Sequence, residues 1–103
     1  MKAILITAAL AAAVPAVAEE AQVAGFVNNA GGMTIITTRQ HYCGHRGMFD
    51  GYAFAKTGAS MRMCWISRGD MILAQFEDGT VYRYPQQVFE ALEVEPEVNF
   101  NQP

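Results

Sequence analysis

An Asp-Gly pair, Asp78-Gly79, lies between two strand-like runs at residues 71–77 and 80–84 and points to a β-rich fold. Asp-Gly between such runs is a strong signal for a β-hairpin with a two-residue turn. That turn places Glu77 opposite Thr80 and so sets which side chains share a face. Upstream, Arg68-Gly69-Asp70 is predicted to form a three-residue link between two further strands.

Four more runs are rich in β-branched and aromatic residues and end at Gly, Asn or Asp, which is typical of short strands. They cover residues 22–27, 33–38, 51–57 and 61–67. Pro85 ends the last strand, and residues 86–92 carry apolar residues at helical spacing. We therefore predict an all-β fold, a small antiparallel meander or barrel of five or six strands with one disulfide and a short C-terminal helical turn.

The N-terminus has the three parts of a bacterial signal peptide. Lys2 supplies a positive charge, residues 4–14 are apolar, and Ala16-Val17-Ala18 forms a cleavage site. The apolar run is shorter than the roughly 20 residues that span a bilayer, so we expect no stable membrane insertion after cleavage. The predicted organisation is a signal peptide at 1–18, one β domain at 19–92 and an acidic flexible tail at 93–103.

The chain has two cysteines, Cys43 and Cys64, and export would place them in an oxidising compartment. We predict that they form one disulfide, which closes a loop of about 22 residues and contributes roughly 3 kcal/mol to a domain with a limited core. The expected location is periplasmic or secreted. A formal net charge of −3 provides no basic surface for nucleic acid or for anionic lipid.

The predicted hairpin register divides the last strands into two faces. The aliphatic face, interpreted as core, holds Cys64, Ile66, Ile72, Ala74, Phe76 and Val81. The other face is aromatic and holds Met63, Trp65, Leu73, Tyr82 and Tyr84. This second face is either covered by the chain termini or exposed to a protein partner, because Trp and Tyr often dominate binding energy. The candidate partner surface is Trp65, Tyr82, Tyr84 and Met63.

A metal site is a second interpretation of the sequence. His41-x-Cys43-x-His45, followed by Met48, brings together ligand types that suit copper. A disulfide at Cys43 would remove its thiolate and leave His41, His45 and Met48. A third interpretation is a small secreted enzyme, but no motif relates the serines, histidines and Asp50. We therefore predict no catalytic residues and no cofactor.

Several short motifs also occur together: Cys64-Trp65, Phe76-x-Asp78-Gly79, Tyr82-x-Tyr84-Pro85 and Phe89. Over residues 33–89 the chain resembles small secreted proteins of unassigned function found in bacteriophage and prophage genomes. The resemblance implies a phage or prophage origin and no particular activity. The histidine-containing segment around Cys43 departs from that pattern.

The expected function is that of an exported periplasmic accessory protein, phage or prophage encoded, which binds or inhibits an envelope protein. A periplasmic copper-binding protein that uses His41, His45 and methionines is one alternative. A small secreted enzyme is the other.

Overall fold

The computed structural model describes residues 21–98 and residue 100, and the predicted signal peptide lies outside this part of the chain. The described part is all-β. Its strands are β1 (Val23–Val27), β2 (Met33–Thr37), β3 (Phe49–Phe54), β4 (Ser60–Arg68), β5 (Met71–Phe76), β6 (Val81–Pro85) and β7 (Glu90–Ala91). Single 3-10 turns occur at Gly44–Arg46 and Gln86–Val88. No helix in residues 21–98 is long and apolar enough to cross a membrane.

The strands form one antiparallel sheet in the order β6-β5-β4-β3-β2-β1-β7. The first six make a meander, as predicted, and β7 adds to the free edge of β1. The sheet curls so far that the rings of Phe26 on β1 and Tyr84 on β6 lie 5.3 Å apart. One face of the sheet is therefore an inner, concave face and the other is an outer, convex face.

The count of seven strands exceeds the predicted five or six because the C-terminal segment leaves the helical conformation early. Only Gln86–Val88 form a turn, and Phe89 is already extended, with φ −86° and ψ 132°. The following residues pair with β1, and the Leu92 N–H donates to the Val23 carbonyl. Hydrogen bonding to an open sheet edge thus outweighs the helical spacing of this short segment.

Both predicted hairpin registers are wrong by one residue. The β5–β6 loop has three residues, because the Phe76 N–H donates to the Thr80 carbonyl and Gly79 takes a φ of +94°. The β4–β5 loop has two residues, and Arg68 lies opposite Met71. A shift of one residue moves every side chain of a strand to the other face relative to its partner.

The predicted division of the two faces is therefore wrong for β5, whereas β4 and β6 keep their predicted relation because the two errors cancel. Met63 lies opposite Phe76, and Tyr82 lies opposite Ala74, so the predicted aromatic residues share the inner face with the aliphatic core. Cys64 lies opposite Gln75 on the outer face. The buried inner core consists of Ile36, Met63, Ile72, Ala74 and Phe76.

The outer face is partly covered by the C-terminal segment. Ile35, on this face of β2, is fully buried. An ideal Cβ at Gly25 would lie 2.6 Å from Ile35 Cδ1 and 3.4 Å from Leu92 Cδ1. Glycine at this position therefore leaves room for two apolar side chains to meet over β1.

Candidate protein-binding surfaces

A disulfide and a buried carboxylate fix the loop between β2 and β3 on the outer face. The predicted Cys43–Cys64 bridge is confirmed, with an S–S distance of 2.02 Å. Asp50 is only 3% exposed. Its carboxylate accepts hydrogen bonds from the backbone N–H groups of His41, Tyr42 and Cys43 at 2.6, 3.2 and 3.0 Å. The loop is thus held covalently at its centre and by charge-assisted hydrogen bonds along its first half.

The same face holds an ion pair between Arg39, which follows β2, and Glu95 of the C-terminal segment. Arg39 donates two hydrogen bonds to the Glu95 carboxylate, at 2.9 and 2.6 Å, and the Tyr52 hydroxyl donates a third at 2.6 Å. The hydrogen bond from Arg39 lowers the pKa of Glu95 and raises that of Arg39. Burial, together with the bond to Glu95, raises the pKa of Tyr52. Glu95 belongs to the segment predicted as an acidic flexible tail, and its side chain contacts the domain through these three hydrogen bonds.

An aromatic contact lies beyond the ion pair. The guanidinium carbon of Arg62 is 4.7 Å from the ring centroid of Phe100 and 5.4 Å from that of Tyr42. Phe100 also meets Tyr52 edge to face, with centroids 5.5 Å apart. Burial raises the pKa of Tyr42 to about 12. These groups line a cleft of about 320 Å³ that also includes Glu95. The outer face thus combines two arginines with two tyrosines, and residues of the chain's own C-terminal segment contact them.

The predicted copper ligands lie in the loop between β2 and β3. His41 and His45 are exposed, and Met48 is partly buried. Both thiolates are consumed by the bridge, and the described residues contain no group of three His, Cys, Asp or Glu side chains that could hold a metal ion. His41 also borders the cleft that contains Arg39, whose positive charge disfavours a bound cation.

Of the four predicted partner-surface residues, one offers a large exposed area. Met63 is 1% exposed and belongs to the core. Trp65 is partly buried, and its Nε1 donates to the Thr37 carbonyl at 2.9 Å. Tyr84 is partly buried between aromatic rings of the sheet's two ends. Tyr82, in contrast, is 50% exposed.

Tyr82 is held in place by its neighbours although it is exposed. Its ring meets Phe76 edge to face at 5.6 Å and stacks on Tyr84 at 5.8 Å. Beside it, an apolar groove of about 350 Å³ opens between β3, β4 and the β5–β6 turn, lined partly by Met61 and Phe54. Tyr82 thus forms a rigid aromatic rim to an apolar groove.

Strand β6 also presents backbone groups, because it is an edge of the described sheet. In an antiparallel ladder, residue pairs that share hydrogen bonds alternate with pairs that do not. The bonds from Phe76 N–H to Thr80 O and from Gln86 N–H to Asp70 O show which pairs of β5 and β6 are hydrogen-bonded. In that alternation the N–H and C=O groups of Val81 and Arg83 point away from β5. Within residues 21–98 no hydrogen bond uses them. Pro85 has no N–H, so the edge open to pairing is short.

Sequence reasoning missed the cluster on the outer face that consists of Arg39, Tyr52, Arg62, Glu95 and Phe100. Arg39 and Glu95 are 56 residues apart, and no periodic pattern links them. The one local signal is Pro96, since a residue before proline is biased to extended conformations that can lie along a sheet.

No family model matches the chain, and no significant match is found among the curated proteins or the solved structures.

Proposed function

We propose that this is an exported envelope protein, of phage or prophage origin, that binds or inhibits another envelope protein through strand β6. The observation that carries the proposal is the coincidence on β6 of exposed apolar side chains and outward backbone groups. Val81 is 55% exposed and Tyr82 is 50% exposed. An extended segment of a partner can pair with the outward groups of Val81 and Arg83, as in other cases of strand addition to a sheet edge.

Tyr82 suits the role of an anchor in this interaction. Its contacts with Phe76 and Tyr84 restrict the ring before binding, which lowers the entropy lost when a partner packs on it. Tyrosine also supplies a large apolar surface and a hydroxyl that can remain hydrated. The adjacent apolar groove can accept a side chain of the added strand.

The Cys43–Cys64 bridge supports export as part of the proposal. Structural disulfides form and persist in oxidising compartments such as the periplasm and are rare in the cytosol. In a phage setting, interference with an envelope enzyme or with superinfection by another phage would suit a small binding domain.

The test is capture of a partner from a bacterial periplasmic extract, with two pairs of variants. Arg83→Pro removes an outward N–H and keeps the bonds of the β5–β6 ladder, whereas Arg83→Ala removes only the side chain. Tyr82→Ala removes the anchor, and Val27→Ala is its control at a residue that is 76% exposed on another strand.

We expect wild type and both controls to capture the same envelope protein. Arg83→Pro should lose it, and Tyr82→Ala should weaken binding about 30-fold, the equivalent of the 2 kcal/mol typical of an anchor. Far-UV circular dichroism and urea unfolding check that each variant is folded. Equal capture by folded Tyr82→Ala and by wild type would exclude β6 as the contact.

A further inference from the structure

We propose that the outer face carries a binding site for an extended peptide with a carboxylate and an aromatic residue. Residues 93–98 and Phe100 then occupy the site as an exchangeable intramolecular ligand. This site involves Arg39, Tyr52 and Arg62 and does not depend on β6. A partner protein that presents such a peptide would bind by displacing the C-terminal segment.

The recognition chemistry is visible in the contacts that the C-terminal segment makes. Arg39 donates two hydrogen bonds to the Glu95 carboxylate, and Tyr52 donates a third. The planar guanidinium of arginine matches a carboxylate in this two-bond arrangement better than lysine does. Farther along the segment, Phe100 packs on Arg62 and meets Tyr52 edge to face. One end of the site thus selects a carboxylate, and the other selects an aromatic ring.

The segment is attached in a way that permits exchange. Within residues 21–98, the last backbone hydrogen bond that ties it to the sheet comes from the Leu92 N–H. Among residues 93–98, the hydrogen bonds to the rest of the domain involve only the Glu95 side chain and the Pro96 carbonyl, which accepts from Tyr52 at 3.3 Å. Segments with few backbone hydrogen bonds are those that open at low free energy while the domain stays folded.

The spacing of the two anchors defines the peptide that fits. Glu95 and Phe100 are five positions apart, and Pro96 biases Glu95 to an extended conformation. The expected partner segment therefore has Asp or Glu, a following residue that keeps the chain extended, and an aromatic residue about five positions later.

The test uses the full chain and a fluorescently labelled synthetic peptide with the sequence of residues 93–102. In wild type the tethered segment competes with the peptide at an effective concentration in the millimolar range. Glu95→Gln weakens that competitor, so the variant should bind the peptide about tenfold more tightly than wild type does. Glu97→Gln removes the same charge at an exposed position of the segment, and it should bind the peptide as wild type does.

The site itself is tested in two further ways. Adding Arg39→Gln to the Glu95→Gln variant should abolish peptide binding. Two altered peptides replace the residue that corresponds to Glu95 by Gln or the residue that corresponds to Phe100 by Ala. Each should bind the Glu95→Gln variant at least about fivefold more weakly than the unaltered peptide does. This comparison does not depend on whether Arg39→Gln disturbs folding.

Three results would overturn the proposal. One is the absence of peptide binding to the folded Glu95→Gln variant at millimolar peptide. Another is binding that is indifferent to both peptide substitutions. The third is a Glu95→Gln variant that forms a dimer by exchanging segments and does not take up the peptide, because the site would then serve only a second copy of the chain.

Discussion

Removing the Cys43–Cys64 bridge tests how far this small sheet depends on a covalent link. The two cysteines are 21 positions apart, and closing a loop of that length contributes about 3 kcal/mol in the chain-entropy account. A domain of about 80 residues has a free energy of unfolding of roughly 4–12 kcal/mol at 0.05–0.15 kcal/mol per residue. The bridge therefore supplies between a quarter and most of the stability. Alanine is the suitable replacement, because Cys43 is fully buried and serine would bury a hydroxyl.

Urea unfolding followed by the fluorescence of Trp65, the single tryptophan, measures the effect. With a slope of about 1 kcal/mol/M, reduction of wild type should lower the midpoint by about 3 M. The double variant Cys43→Ala/Cys64→Ala should fall slightly further, because it also loses the packing of two sulfur atoms. Each single variant should resemble the double variant, since either removes the same bridge. Coincident unfolding curves for oxidised and reduced wild type would refute this reasoning.

Three other predictions concern packing, charge and hydrogen bonding. Gly32→Ala should destabilise the domain by more than about 2 kcal/mol in urea unfolding, because its Cβ would lie 2.0 Å from the Phe54 carbonyl oxygen. Glu95→Gln should lower the free energy of unfolding at neutral pH. Arg39 lowers the pKa of Glu95 in the folded protein, so the stability difference between wild type and Glu95→Gln should be complete above pH 4.5, the ordinary pKa of glutamate. It should vanish as the pH falls through the pKa of Glu95 in the folded protein, and a difference that persists in acid would contradict the ion pair. Trp65→Phe should cost about 1–3 kcal/mol, because two carbonyl oxygens lose the indole N–H, and an unchanged midpoint would show that this donor is dispensable.

The strands and the disulfide could be predicted because their signals are local. Runs of β-branched and aromatic residues between turn residues locate the strands, and two cysteines in a chain that is predicted to be exported allow one intramolecular bridge. The register could not be read in the same way. Gly79 suits an Asp-Gly two-residue turn, but it equally suits a three-residue loop whose last residue has a positive φ, as observed.

The candidate surfaces likewise include one part that local sequence patterns predict and one part that depends on the tertiary fold. Met63, Trp65, Tyr82 and Tyr84 do lie on one face, because the two register errors of one residue cancel between β4 and β6. Strand β5 changes face, so Ile72, Ala74 and Phe76 lie on the same face as these four residues. The prediction that the four stand opposite the aliphatic core is therefore wrong. The Arg39–Glu95 pair depends on how the chain returns after β7, which no local pattern encodes. Charged residues near the C-terminus are expected to be solvated, and only the tertiary fold brings this glutamate to an arginine.

The curl of the sheet explains why Tyr82 on β6 is the exposed aromatic side chain among the described residues. Phe26, Tyr84 and Phe89 fill the space between the two ends of the meander, with ring centroids 5.0–5.8 Å apart. Residues near that contact are buried by it, whereas Tyr82 lies two positions earlier on β6, which pairs on one side with β5 and is an edge of the described sheet. Its ring still rests on Tyr84, so the cluster that closes the sheet also holds the exposed tyrosine rigid. Exposure and rigidity at one residue are what a binding anchor requires, because area without preorganisation is offset by the entropy of ordering it.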